Sequence, residues 1–350
     1  MIVILFLYLL SLFLLIVNEK KKVPFIFIII TIYIGVVSFF FFPSQDADLY
    51  RHYENIELYG EMGLEWVIEN KCNINPLTHI LFYLFSLLNE PRLYACFSTL
   101  VTYGFSFLLL YRISKLYSLN KTYITILATF LIFNLNYLMI VSNCRIFMLY
   151  SIISYLFYME FFENKLKKTA IVIYILSILF HYAIILIIIP RLILYCYKPK
   201  DKKVYIYLLL IFLLLVYSGP TLYQSVIVES VVDRVESYQN YTTFGKLQYY
   251  NSLFCVITCC FCIVCFKVKK LVDKRYIILF WLTILLMITQ ITEYQVIYRQ
   301  SNIIAMLSLV LLAPILKNDS VRFIICVQPI ITFAYYLFFE YQIIDFKFVL

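Results

Sequence analysis

Apolar runs of 14 residues or more recur from one end of this chain to the other, and the first two, Met1–Val17 and Val23–Phe42, contain no charged residue. A helix that is apolar all round has no face to offer water, so such runs must lie in lipid or against one another. Only 14% of the residues are charged and 64% are hydrophobic, against roughly 25% charged in an ordinary soluble domain. A soluble core could not hide that much apolar surface.

The runs fall near 1–17, 23–42, 93–113, 122–141, 146–162, 204–218, 251–266, 276–291, 301–316 and 322–339. Two further stretches are open. Pro76–Leu88 is short for a hydrocarbon layer about 30 Å thick and reads as a re-entrant or interfacial segment. Thr169–Tyr197 is either one long helix or a hairpin of short ones turning near His181. The expected fold is therefore all-α: a polytopic transmembrane helical bundle of about 10–13 membrane segments. Two longer extracytoplasmic loops, 43–75 and 219–250, are expected within one integral membrane domain over 1–350. No internal repeat relates the two halves, which disfavours a symmetric transporter.

Met1–Val17 has no basic residues before it and Lys20, Lys21 and Lys22 after it, the reverse of a secretory signal, so it is expected to stay as the first helix. Cys255, Cys259, Cys260, Cys262 and Cys265 share one apolar run, where a thiol behaves as a small hydrophobe. No disulfide framework, metal site or cofactor is expected. Asp46-Ala-Asp48 resembles a metal-binding pair only superficially, and no nucleotide-binding loop or cytoplasmic catalytic domain is visible.

Lysine and arginine stay on the cytoplasmic side of short loops, and about 20 of the 29 basic residues fall in one alternating set of connections. That set comprises NEKKK, Arg112–Lys121, ENKLKK, KPKDKK, KVKKLVDKR and KNDSVR. Basic flanks on both sides of 169–197 require an even number of crossings there, which favours the hairpin. The net charge of +9 is thus mostly a topology signal and gives no reason to expect nucleic-acid binding.

The ionisable residues left over gather at the outer ends of the runs. The first outer loop crowds Asp46, Asp48, Tyr50, Arg51, His52, Tyr53 and Glu54 together. Aromatic faces beside carboxylates suit a sugar, whose C–H faces stack and whose hydroxyls need acceptors. A plain interfacial aromatic belt is the alternative. Arg145 stands in a short turn between apolar helices, and Arg299, after Tyr298, repeats the situation at the start of 301–316. A guanidinium there is costly to bury and pairs bidentately with phosphate, or else snorkels to lipid headgroups. His181, in LSILFHYAIIL, is an intramembrane ionisable group able to carry a proton or contact a phosphate, or only a hydrogen-bonded core residue. His79 is a weaker candidate.

With these residues in view, the chain resembles the EpsG-like family of Wzy-type polysaccharide polymerases. The landmarks are Asp46-Ala-Asp48-Leu-Tyr50, then NPLTHILFYLFSLL, Arg145 opening a helix, SILFHYAIILIII around His181, and Tyr298-Arg299, spanning about residues 30–320. The chain departs from the family pattern after Arg145, at Tyr298-Arg299-Gln300, and at Asn75, where a Glu commonly precedes the proline. The resemblance implies a multi-pass protein of the bacterial cytoplasmic membrane that extends an exopolysaccharide, capsule or O-antigen-like glycan on the outer leaflet. Its substrate would be an undecaprenyl-pyrophosphate-linked oligosaccharide among membrane lipids, with a flippase and a chain-length regulator as expected partners. Glycosyl transfer with a pyrophosphate leaving group needs cations for the leaving group and a proton acceptor for the attacking hydroxyl. Arg145 and Arg299 are expected to take the pyrophosphate, and His181 to act as acid/base or phosphate contact. Asp46, Asp48 and Tyr50 would bind the acceptor sugar or act as base, with Arg51, His52 and Tyr298 as further substrate-binding residues and the general base open among Asp46, Asp48 and His52. A flippase for the same lipid-linked glycan and a membrane O-acyltransferase are the competing readings.

Overall fold

The computed structural model describes residues 2–43, 48–73, 75–164, 167–196, 242–266, 268, 271–288, 294–335 and 347–348. Asp46, the expected helix 204–218 and all but the end of the expected loop 219–250 lie outside the described residues. Fourteen α-helices are described: α1 Ile2–Val17, α2 Val23–Phe39, α3 Asp48–Lys71, α4 Pro76–Ser86, α5 Arg92–Leu116, α6 Lys121–Asn134, α7 Tyr137–Ser142, α8 Cys144–Phe162, α9 Lys167–Phe180, α10 Ile185–Cys196, α11 Thr242–Cys265, α12 Lys274–Ile288, α13 Tyr294–Leu312 and α14 Asp319–Tyr335. The only described β structure is a two-residue antiparallel ribbon pairing Phe41 with Phe348 and Phe42 with Lys347. The fold is all-α.

Helices α5, α8 and α13 form the centre. α5 lies between α2 and α8, α13 packs on α8 and α11, and α6 packs on α14. Leu109, Leu110, Phe147, Ile153 and Phe157 are fully buried there, as is the run Ile303–Leu307. The outer helices turn large apolar side chains away from this core, including Phe25, Ile28 and Ile32 on α2, Ile171, Val172 and Ile175 on α9, and Ile257, Phe261 and Val264 on α11. At helical spacing these make continuous apolar stripes, which suit lipid and not water. Three helical stretches, Lys20–Phe39, Arg92–Leu116 and Cys144–Phe162, are long and apolar enough to cross a bilayer. The chain has the character of a multi-pass membrane protein.

Two expected segments differ in detail. The run 122–141 divides into α6 and α7 because the Asn136 side chain accepts the Leu138 N–H at 3.0 Å and starts a new helix. The polar stretch after Pro43 is largely helix, broken at Gly63 (φ 82°, ψ 167°): before the break α3 buries Leu49, His52, Tyr53, Ile56 and Tyr59, the three-and-four spacing of an amphipathic helix, and after it Val67. A search for long apolar runs passes over such a helix, since its exposed face is charged.

The open question at 169–197 is answered by one carboxylate. Tyr174 Oη on α9 donates to Glu160 Oε2 at 2.7 Å, and Arg191 Nε on α10 donates to the same oxygen at 2.8 Å. Along a straight helix these two side chains would stand about 25 Å apart at 1.5 Å per residue, too far to share an oxygen. The chain therefore doubles back, and the break falls at His181, whose backbone is extended (φ −154°, ψ 108°) between α9 and a single 3-10 turn, Tyr182–Ile184.

Candidate functional site: an arginine-rich cluster at one end of the bundle

The fold brings four separate segments to one end. α3 contributes Asp48, Arg51 and His52 from its first turns, α8 contributes Arg145 as its second residue, the α9–α10 turn contributes His181, and α13 contributes Arg299. Arg299 Nη2 lies 3.9 Å from Asp48 Oδ2, and Arg51 forms an ion pair with Asp48 one turn along α3. Arg145 acts electrostatically on Asp48, His52 and His181, so all six side chains share one field. Among the described residues, Arg51 and Arg299 pair with the Asp48 carboxylate and Arg145 lies within electrostatic reach of it. The excess of positive charge suits an anion with more than one negative oxygen.

Local structure explains the placement. Asp48 in the first turn of α3 complements the positive end of that helix. Arg145 sits at the N-terminal end of α8, where the helix dipole opposes a cation, and no hydrogen bond or ion pair reaches its guanidinium among the described residues. Dipole and guanidinium together favour an anion from outside the chain. Nearby, Tyr53 Oη, Tyr94 Oη and His181 Nδ1 are buried atoms with no hydrogen-bond partner among the described residues. An orphaned buried polar atom is costly, so such groups collect where another polar group comes to meet them.

The titration of α3 follows from the same geometry. Burial pushes the Asp48 carboxyl up, but the neighbouring guanidiniums, Arg299 foremost with Arg51 and Arg145, outweigh it and hold the pKa at about 2. His52 is 4% exposed, with its ring 5.0 Å from that of Phe82 and edge-on to Tyr94 at 5.9 Å. Burial first, and then the nearby Arg145, drive its pKa well below the ordinary value of 6.5, so the ring is neutral. Asp48 is thus a weak proton acceptor and a durable hydrogen-bond acceptor.

Of the remaining candidates, Tyr50 is half-buried on α3 and Arg51 is nearly half exposed at the rim. The backbone of Tyr298 lies in α13, and its side chain is outside the described residues. His79 is hydrogen-bonded through Nδ1 to Tyr59 Oη at 2.7 Å. No three His, Cys, Asp or Glu side chains among the described residues converge as a metal site.

Sequence reasoning missed two groups. Asn75 and Thr78 bond the backbone on either side of His181, and NPLTH carried no hint of its distant partner. Glu160 and Arg191 form a buried ion pair; each is a lone charge inside an apolar run, a signal the sequence did contain. No family model matches this chain, and neither a curated protein nor a solved structure matches it significantly.

Proposed function

We propose that this protein is a membrane polysaccharide polymerase that joins polyprenyl-pyrophosphate-linked oligosaccharide repeat units on the outer leaflet of a bacterial cytoplasmic membrane. The observation that carries this reading is the convergence of Arg145 and Arg299 with Asp48 and His181 at one end of an apolar bundle. In the sequence the lysine- and arginine-rich connections adjoin the other ends of the same apolar runs, and the positive-inside pattern supports an outer position for the cluster.

In this reaction a hydroxyl of the incoming repeat unit attacks the anomeric carbon of the growing glycan. The new C–O bond forms as the bond to the pyrophosphate oxygen breaks, and polyprenyl pyrophosphate leaves. Arg145 and Arg299 neutralise the charge that gathers on the leaving group, aided by the N-terminal end of α8. Asp48, kept ionised by its arginines, accepts a hydrogen bond from an acceptor sugar hydroxyl and orients it. His181, whose buried Nδ1 has no hydrogen-bond partner among the described residues, takes the proton of the attacking hydroxyl. His52 holds the packing beneath Asp48 and stays neutral.

The flippase reading calls for polar groups along a two-sided pathway, and among the described residues the cluster occupies one end. An O-acyltransferase would need a histidine with a route to a cytoplasmic donor, whereas His181 belongs to the same end as Asp48. Single replacement of Arg145, His181 and Arg299, with membrane insertion checked, tests the proposal on a size ladder of surface and lipid-linked glycans. Polymerisation demands loss of long chains with single repeat units accumulating on the outer leaflet. Repeat units trapped on the cytoplasmic face would favour the flippase instead, and an unchanged ladder in all three variants would remove the residue assignments.

A further inference from the structure

Helix α4 touches both halves of the cluster without contributing a charge to it. Its Phe82, 1% exposed, packs under the His52 ring, and Tyr59 of α3 bonds His79 of α4 at 2.7 Å. One turn before Phe82, Thr78 Oγ1 donates to the Phe180 carbonyl at the end of α9. At the helix start, Asn75 Oδ1 accepts the Tyr182 N–H at 2.9 Å. The last carbonyls of α9 and the first amide after the break have no partner of their own where a helix stops. The side chains of α4 supply both, immediately before and immediately after His181.

We propose that Asn75 and Thr78 are positioning residues, a clasp that sets where the His181 imidazole stands relative to Asp48. Through Phe82 and His79, α4 is a strut that ties the helix of the acceptor-binding carboxylate to the turn of the proton acceptor. The polar side chains of α4 sit where they do because His181 lies on a break rather than on a helix. A turn free to shift by an ångström would lose the alignment that proton transfer needs. The positioning role rests on the glycosyl-transfer reading above, while the clasp itself is a matter of geometry.

The substitutions must separate the bonds from the fold. Asn75 has a positive φ of 56°, so Asn75→Gly removes the side chain and keeps a backbone that glycine adopts readily. Asn75→Asp retains the acceptor oxygen. Thr78→Val removes the hydroxyl at constant shape, and Thr78→Ser restores it. The chain has three histidines, so diethyl pyrocarbonate labelling of the full-length protein, read by mass spectrometry, reports each of them separately. Thr78→Val and Asn75→Gly should raise the labelling rate of His181 by roughly two- to tenfold, the effect of one lost hydrogen bond, with His52 unchanged. Thr78→Ser and Asn75→Asp should return it to the parent rate.

In vesicles given a synthetic polyprenyl-pyrophosphate-linked repeat unit, the first two variants should lose kcat with little change in KM, and the second two should recover it. Unaltered His181 labelling in Thr78→Val and Asn75→Gly overturns the clasp. Raised labelling with full kcat overturns the positioning role while the turn is still held as described. A His181→Ala variant that polymerises normally overturns the proton-acceptor role of His181, and a parent protein that forms no polymer overturns the glycosyl-transfer reading itself, whatever the labelling shows.

Discussion

Arg299 of α13 stands 3.9 Å from Asp48 of α3, joining two helices that are far apart in the sequence. Asp48 is also paired with Arg51 and within the field of Arg145, so its charge is shared among three guanidiniums. An incoming pyrophosphate would compete for the same cations. On the proposed reading, the site would exchange its internal carboxylate contact for a more highly charged ligand.

Arg145 should therefore resist conservative replacement. Lysine keeps the charge and loses the planar fork that engages two phosphate oxygens. Arg145→Lys and Arg145→Ala are both expected to lower polymerisation by about 10²-fold, the scale of losing one preorganised donor to a developing anion. Rates measured with synthetic lipid-linked repeat units check this, and a fully active lysine variant would show that only bulk charge is needed.

Acid should loosen the α3 end of the protein. Asp48 has a folded pKa held down at about 2, below its ordinary 3.8, so its stabilisation is present above pH 3.8 and is lost as pH falls toward 2. His52 is also depressed, below 6.5, so below that pH the unfolded chain binds a proton that the folded chain refuses. Stability then falls with falling pH from about 6.5 downward. Melting temperatures in detergent between pH 7 and pH 5 should decline, and His52→Phe should make the decline shallower. A parallel slope in the variant would show that His52 is not the group responsible.

The carboxylate that pins the hairpin should be structurally expensive to remove. Glu160 and Arg191 are 5% and 14% exposed at their side chains, and breaking a buried pair leaves an uncompensated charge at a cost of about 3–5 kcal/mol. Glu160→Gln and Arg191→Met are each expected to lower the melting temperature strongly. Glu160→Gln combined with Arg191→Met should cost less than the sum, because no orphan charge is left. Additive losses would argue against a direct pair.

The apolar stripes can be tested for contact with lipid. Ile257, Phe261 and Val264 are exposed along one face of α11, and an aspartate at the centre of a membrane helix costs roughly 2.5–3.5 kcal/mol of insertion free energy. Phe261→Asp should reduce the fraction of protein that withstands carbonate extraction from membranes. The same change on a water-facing surface would leave that fraction alone.

The parts of this architecture legible in the sequence were those carried by composition. Long apolar runs announced the helices at the centre, and isolated charges such as Arg145 and His181 stood out because little in the sequence around them explained them. The amphipathic α3 was read as a loop because its Glu-rich face hides a regular buried face of Leu49, His52, Tyr53 and Ile56. Pairings across the fold were beyond reach: nothing local links Asn75 to Tyr182, or Glu160 to Arg191, since each bond depends on how the helices fold back. Even so, the lysine count around 169–197 favoured the hairpin that the shared Glu160 oxygen displays.

The most direct measurement is elongation by the purified, full-length protein in liposomes supplied with one synthetic polyprenyl-pyrophosphate-linked repeat unit. Products of two or more repeats, with free polyprenyl pyrophosphate released for every bond formed and both lost in Arg145→Ala, are expected for a polymerase. Lipid-linked repeat units that cross the bilayer without lengthening would contradict it and identify a flippase.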